Sequence, residues 1–206
     1  MAFPVRYQRG GPPAPPGTAD VCPAQIHLVA VATGEHTIWQ AGSDGFISHL
    51  SFSADGHRMA FSWHGAGEDN GIRVVDLPGM ATGPVCTTPS HLVIAEQNSL
   101  GNLGQAVISP DGTAIYVAAA RYGPGGQPVT RLAEVSVADG ELQGIGYERR
   151  GADPGNLIFG WGPLAVDPAG QHALIAYSGN LGRIDLSTGQ LTELPIEENG
   201  AFDIAW

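Results

Sequence analysis

The chain has 206 residues, 43% of them hydrophobic and 14% charged, with 30 glycines and 16 prolines, a composition that favours one all-β domain of short strands and tight turns over helices. Nine basic against twenty acidic residues give a formal net charge of −11, which repels phosphate backbones and anionic lipid and argues against nucleic acid as a partner. Membrane insertion is not expected either, because no apolar run approaches the roughly 20 residues that span a bilayer.

In chain order, the predicted elements recur as strands lettered a to d from the inside of the unit outward. Met1 to Tyr7 reads as a b strand with no a strand before it. It lacks a basic leader and a sustained apolar stretch, so the chain as given is expected in the cytoplasm, or outside it if it is a segment of a longer anchored or secreted protein. Pro12 to Pro16 forms a loop too rich in proline to join a ladder. Strand c follows at Ile26 to Val31 and strand d at His36 to Gln40. The next unit runs a Ile47 to Phe52, b Arg58 to Trp63, c Ile72 to Leu77 and d His91 to Ala95. Then come Gln105 to Ser109, Ala114 to Arg121, Arg131 to Val137 and Glu141 to Gly146. A further unit has Gly162 to Val166, His172 to Tyr177, Gly182 to Leu186 and Gln190 to Pro195. Ala201 to Trp206 reads as an a strand with no b strand after it.

The turns carry the repeat. Ser53-Ala54-Asp55-Gly56, Ser109-Pro110-Asp111-Gly112 and Asp167-Pro168-Ala169-Gly170 each join a to b, and their glycines lie 56 and 58 residues apart, near the repeat lengths of propellers and other stacked arrays. Asp55 and Asp111 fit as turn residues whose side chains bond the local backbone. Ala32-Thr33-Gly34-Glu35, Ala138-Asp139-Gly140-Glu141 and Ser187-Thr188-Gly189-Gln190 join c to d, with glycine supplying a positive φ. These motifs resemble those of TolB-like and WD-repeat-like β-propellers, over nearly the whole chain from Gln25 to Trp206. No unit shows the Gly-His and Trp-Asp pair of the strict WD signature, which favours the TolB-like type. The resemblance implies protein or peptide binding, often by a sensing or docking module.

The expected architecture is therefore a single all-β domain over 1–206, a β-propeller of about four blades of four antiparallel strands. The blades fall at 201–206 plus 1–41, at 47–95, at 105–147 and at 160–195, with the N- and C-terminal strands pairing to close the ring. Closure would remove two exposed sheet edges. A monomer is expected over a dimer.

In such a ring the d–a and b–c connections share one face, where a rigid frame places binding residues. The candidate ligand-binding residues are Asp44, His49 on the channel-lining strand, His64, Asp69, and the set Arg149, Arg150, Asn156 and Trp161 around the longest d–a loop, Glu148 to Gly160. Arginine and tryptophan favour a peptide or acidic segment there. Glu68, Asp69, Glu197 and Glu198 are alternative partners for those arginines within the molecule. No catalytic residue is assigned: the histidines form no HxH, HExxH or Cys/His cluster, no GxSxG occurs, and the acidic clusters lack calcium-loop spacing. No metal and no cofactor is expected. Cys22 and Cys86 read as free thiols or a single disulfide. The expected function is a non-catalytic scaffold that binds a protein or peptide. The alternatives are a lactonase- or glycosidase-like propeller hydrolase with carboxylates at the channel mouth, and a truncated sensor or hydrolase-associated domain of a longer protein.

Overall fold

Strands that are apolar on both sides need a neighbour on each face, and that requirement organises the molecule. The computed structural model describes residues 2–6, 24–29, 34, 36–41, 45–65, 70–77, 90–96, 98–151, 163–177 and 180–197. They form antiparallel sheets whose neighbours follow chain order. The first sheet has β1 (Ala2–Arg6), β2 (Ala24–Val29) and β3 (His36–Ala41). The second has β4 (Gly45–Phe52), β5 (Arg58–Gly65), β6 (Gly71–Asp76) and β7 (His91–Ala95). The third has β8 (Asn102–Ile108), β9 (Ala114–Tyr122), β10 (Pro128–Ser136) and β11 (Leu142–Arg150). The fourth has β12 (Leu164–Val166), β13 (His172–Tyr177), β14 (Asn180–Asp185) and β15 (Leu191–Glu197). The expected terminal strand at 201–206, the loop at Pro12 to Pro16 and both cysteines lie outside the described residues.

Alternation along each strand divides the core into layers. In β5, Met59 and Phe61 pack with Ile26 and Val75 between the first and second sheets. Ala60 instead joins Ile72, Val74, Ile108, Ile115, Val117 and Val135 between the second and third. In β10, Leu132 packs with Tyr116, Leu164, Ile175 and Ile184 between the third and fourth. A sheet covered on both faces reads in sequence as a nearly continuous apolar run, such as Ala114 to Ala120.

The a–b turns repeat one hydrogen-bond pattern. Ser53 Oγ donates to Asp55 Oδ1 at 2.6 Å and accepts from the Arg58 amide at 3.0 Å, while Asp55 Oδ1 accepts from the His57 amide at 2.9 Å. Ser109, Asp111, Thr113 and Ala114 repeat this with 2.6, 3.0 and 2.9 Å. In the fourth sheet Asp167 stands where serine stood, and one side chain does both jobs: Oδ1 accepts from the Gln171 and His172 amides and Oδ2 meets His172 Nδ1 at 3.1 Å.

These turns also join the sheets. The Ala54 amide donates to the Pro110 carbonyl at 2.8 Å, Arg58 reaches the Gly112 carbonyl at 2.7 Å, and the Ile108 amide donates to Ser51 Oγ at 3.1 Å. The c–d turns pack as closely. A β-carbon on Gly140 (φ +73°) would run into the Val93 carbonyl of the sheet before, and one on Gly189 (φ +69°) would sit 2.7 Å from the Gly146 carbonyl. Gly56 has the same left-handed backbone but open space around it.

Gly140→Ala is therefore expected to destabilise the fold by about 3 kcal/mol and Gly56→Ala by about 1 kcal/mol, the difference being the inter-sheet clash rather than backbone conformation; urea denaturation of both variants checks it. The turn carboxylates supply a pH signature. The Ser187 hydroxyl and the Thr188 amide hold Asp185 at about 2, below its ordinary 3.8, and the Ser53 and Ser109 hydroxyls likewise lower Asp55 and Asp111. Carboxylates depressed in the folded state stabilise it above the ordinary value, and that contribution is lost as pH falls through the folded value. Urea midpoints are expected to drop between about pH 4 and pH 2, and Asp185→Asn to flatten that drop.

Candidate functional site

One end of the sheets carries the a–b and c–d turns; the other carries the b–c and d–a connections. At that second end β4 begins and β5 finishes, with Gly45 opposite Gly65 and Phe46 opposite His64. The Phe46 and His64 rings stack at 4.6 Å, and Phe46 remains 41% exposed. Ser48 Oγ lies 3.2 Å from His64 Nε2 and 3.2 Å from His49 Nδ1. A hydroxyl has one proton to donate, so it donates to at most one imidazole, and the other ring interacts through its own N–H. Ser62, opposite Ser48 in the ladder, is buried, and its Oγ has no hydrogen-bond partner among the described residues. Phe46, Ser48, Ser62, His64 and His49 thus gather at the mouth of the inner hairpin.

A bulge brings His49 there. Register shifts between Ser48 and Ser51, and β8 has a similar shift one ladder pair further from its turn, between Leu103 and Ala106. His49 takes a positive φ of 54°, which among the described non-glycine residues occurs at this position alone. Gln105, as far before its turn as His49 is before its own, lies in the β8 bulge without a positive φ, and its Oε1 accepts from the Leu164 amide of the next sheet at 2.8 Å. Backbone strain at a bulge that a sister strand makes without strain marks His49 as a residue held for its side chain.

The third sheet carries the arginines. Arg149 and Arg150 lie in β11, opposite Thr130 and Val129, rather than in the loop expected from sequence, because β10 extends back to Pro128 and gives them ladder partners. Arg150 Nε donates to Glu148 Oε1 and Arg131 Nε to Glu148 Oε2, both at 2.6 Å. The Arg150 bond, reinforced by Arg131, lowers the Glu148 pKa. Burial raises that of Tyr147, against an opposing effect from Arg149. The partner of Arg150 is thus Glu148, two residues away. Arg121 donates to the Ser99 carbonyl at 3.3 Å, and next to it Tyr122 is 67% exposed.

His49 and His64 are brought together through Ser48, while Arg149 and Arg150 stand on the outer strand of another sheet. Asp44, Asp69, Asn156 and Trp161 lie outside the described residues, as do Glu68 and Glu198. Sequence reasoning did not select Ser48, Ser62, Phe46, Arg121, Tyr122 or Arg131. The register set by the Ser53-to-Gly56 turn alone would place Phe46 opposite Gly65, and the bulge between Ser48 and Ser51 shifts it opposite His64, so no local signal announced the pair. Among the described residues no three metal-ligating side chains cluster, and no helix is long and apolar enough to cross a membrane.

No protein-family model and no curated protein matches the sequence. Solved structures do match. TolB from Acinetobacter baumannii superposes with a TM-score of 0.57 at 14% identity, over 86% of this chain and 39% of that one. One from a study of two prolyl endopeptidases gives 0.57 at 13%, over 84% and 26%. The Cps50 (Swd1) β-propeller domain of Myceliophteria thermophila gives 0.52 at 11%, over 89% and 56%. The fold is that of a TolB-like, WD-repeat-like β-propeller, and the chain spans from 26% to 56% of the length of these proteins.

Two substitutions separate strain from support. His49→Gly is expected to melt no lower than the parent, because glycine relieves the positive φ. Gln105→Ala is expected to cost about 1–3 kcal/mol by orphaning the Leu164 amide; thermal denaturation compares the two.

Proposed function

We propose that this chain is a non-catalytic β-propeller scaffold that binds a protein or peptide through the end bearing its b–c and d–a connections. The observation that carries this reading is the exposed aromatic surface there: Phe46 stacked on His64, and Tyr122 beside Arg121. Exposed aromatics next to arginine on a rigid frame suit a protein partner. Asp44, Asp69, Asn156 and Trp161 belong by sequence order to the same end.

The proposed ring has four blades, and the segment 201–206 supplies the inner strand of the first, beside β1. Two observations support this. The first sheet has three described strands where the others have four, and among the described residues β1 pairs with β2 alone. Phe52 is 36% exposed, whereas Ile108, at the same place in β8, is 2% exposed against the preceding sheet. An inner strand in the first blade would cover Phe52 as β4 covers Ile108. A monomer needs no second chain to complete that ring.

A propeller hydrolase is the second reading, and Ser48 within reach of two imidazoles is what favours it. Nucleophilic catalysis needs such a hydroxyl–base pair together with donors for the developing oxyanion. Ser48→Ala separates the readings: a scaffold keeps partner capture, whereas a hydrolase loses all turnover of an activated ester.

The binding reading predicts that the double variant Phe46→Ala/Tyr122→Ala reduces crosslinked partner by about tenfold at unchanged melting temperature. The closed ring predicts that deleting Phe202 to Trp206 lowers the melting temperature of the whole domain, and an unchanged value contradicts it.

A further inference from the structure

The third sheet presents a second surface, continuous with the loop end, whose chemistry identifies the partner more narrowly. In β10, Ala133 and Val135 pack toward the second sheet and Leu132 toward the fourth. Cross-strand partners share a face, so the β11 residues opposite Val135, Ala133, Arg131 and Val129 all turn toward the second sheet. These are Leu142, Ile145, Glu148 and Arg150. Leu142 is 49% and Ile145 38% exposed, so two apolar side chains stand open beside the arginine cluster.

Charge is concentrated at the far end of that stripe. Arg121 and Arg150 both lie opposite Val129, one on each side of it, with Arg131 behind them. Glu148 engages Arg131 and Arg150 through their Nε atoms, so among the described residues the outer guanidinium nitrogens of the exposed Arg150 are available to a further carboxylate. Three guanidiniums against one described carboxylate make a local positive site on a chain of net charge −11. With Arg149, this sheet holds four of the nine basic residues.

The edge itself is open. β11 pairs with β10 alone among the described strands and has nine residues, whereas β7 has five and β15 carries Pro195 with Glu193 and Glu197. Short length, proline and charge protect sheet edges; the half of β11 with exposed Leu142 and Ile145 has none of these, and only two bulges against β10 interrupt it.

We infer that the face of β11 from Leu142 and Ile145 to Arg150 docks an extended acidic–apolar segment of a partner protein, apolar side chains lying on Leu142 and Ile145 and carboxylates reaching Arg150 and Arg121. This rests on the reading of the chain as a protein-binding scaffold and adds the chemistry of the partner. Because β11 bulges twice, Leu142 to Arg150 runs alongside Val135 to Val129, about 20 Å or the length of an extended peptide of about seven residues. Arg121 lies two strand spacings, about 10 Å, across the sheet from Arg150, and a peptide along β11 offers them glutamates two residues apart, which share one of its faces. A long polyanion is disfavoured because the rest of the surface repels it.

The test is fluorescence anisotropy of the intact chain with a labelled nine-residue extended peptide bearing two leucines followed by two glutamates two residues apart. Saturable binding is expected, weakened about tenfold by Arg121→Glu/Arg150→Glu and about fivefold by Leu142→Ser/Ile145→Ser. It is also expected to weaken as salt rises from about 50 to about 500 mM. These residues are on the surface, so unchanged melting temperatures verify the fold of the variants. No saturation by about 1 mM peptide, equal binding of a peptide with lysines for glutamates, equal competition by a single-stranded oligonucleotide, or indifference to both double variants each overturns the inference. Binding lost in Phe46→Ala/Tyr122→Ala but retained in both β11 variants overturns it while leaving the loop-end reading intact. The converse pattern upholds the β11 surface and removes the loop end.

Discussion

The second and third sheets are apolar on both faces, and the stacking of one sheet on the next is the interaction from which the rest follows. Met59 and Phe61 look one way from β5 and Ala60 the other, and both sides are fully buried. A sheet of this kind cannot stand alone in water, because one face or the other would lie open. Adjacent sheets are further tied where the chain turns, by the Ala54 amide on Pro110, Arg58 on Gly112, and the glycine of one c–d turn against the carbonyl of the previous outer strand. The a–b and c–d end is therefore spent on structure, which leaves the opposite end available for recognition.

That division explains which features carry chemistry. At the structural end the ionisable groups are aspartates held in their charged form by hydroxyls and amides, as at Asp55, Asp111 and Asp185. At the opposite end stand the aromatic pair of Phe46 and His64, the bulged His49 and the arginines of the third sheet. Gln105 and His49 stand equally far before their turns, each within a bulge, yet serve different purposes: Gln105 bridges to the next sheet, while His49 meets a serine shared with a second histidine.

The fold was legible in sequence to the extent that local chemistry dictates it. The Ser-x-Asp-Gly turns form the hydrogen bonds that their residue types imply, and strands such as β5 and β13 begin where the turns end. Strand lengths were less legible. β11 continues to Arg150 because β10 supplies partners, a non-local fact that no turn residue announces. The candidate site was legible in part for the same reason. His49 and His64 stood out as histidines, but Ser48 gained meaning only through the hairpin register and the bulge. The pairing of Arg150 with Glu148 depends on side chains at i and i+2 sharing a strand face, so it could be read only once the segment was known to be strand rather than loop.

Turn-to-turn ties make neighbouring sheets one cooperative unit, and amide hydrogen exchange measures that coupling most directly. Ala54 sits in an exposed turn, yet its amide donates to Pro110 of the next sheet, whereas Val117 is fully buried in β9. Exchange of the Ala54 amide with the same opening free energy as that of Val117 is the predicted result. Exchange at the rate of an unprotected loop while Val117 stays protected would show that the sheets are held by apolar contact alone and that the turns do not couple them.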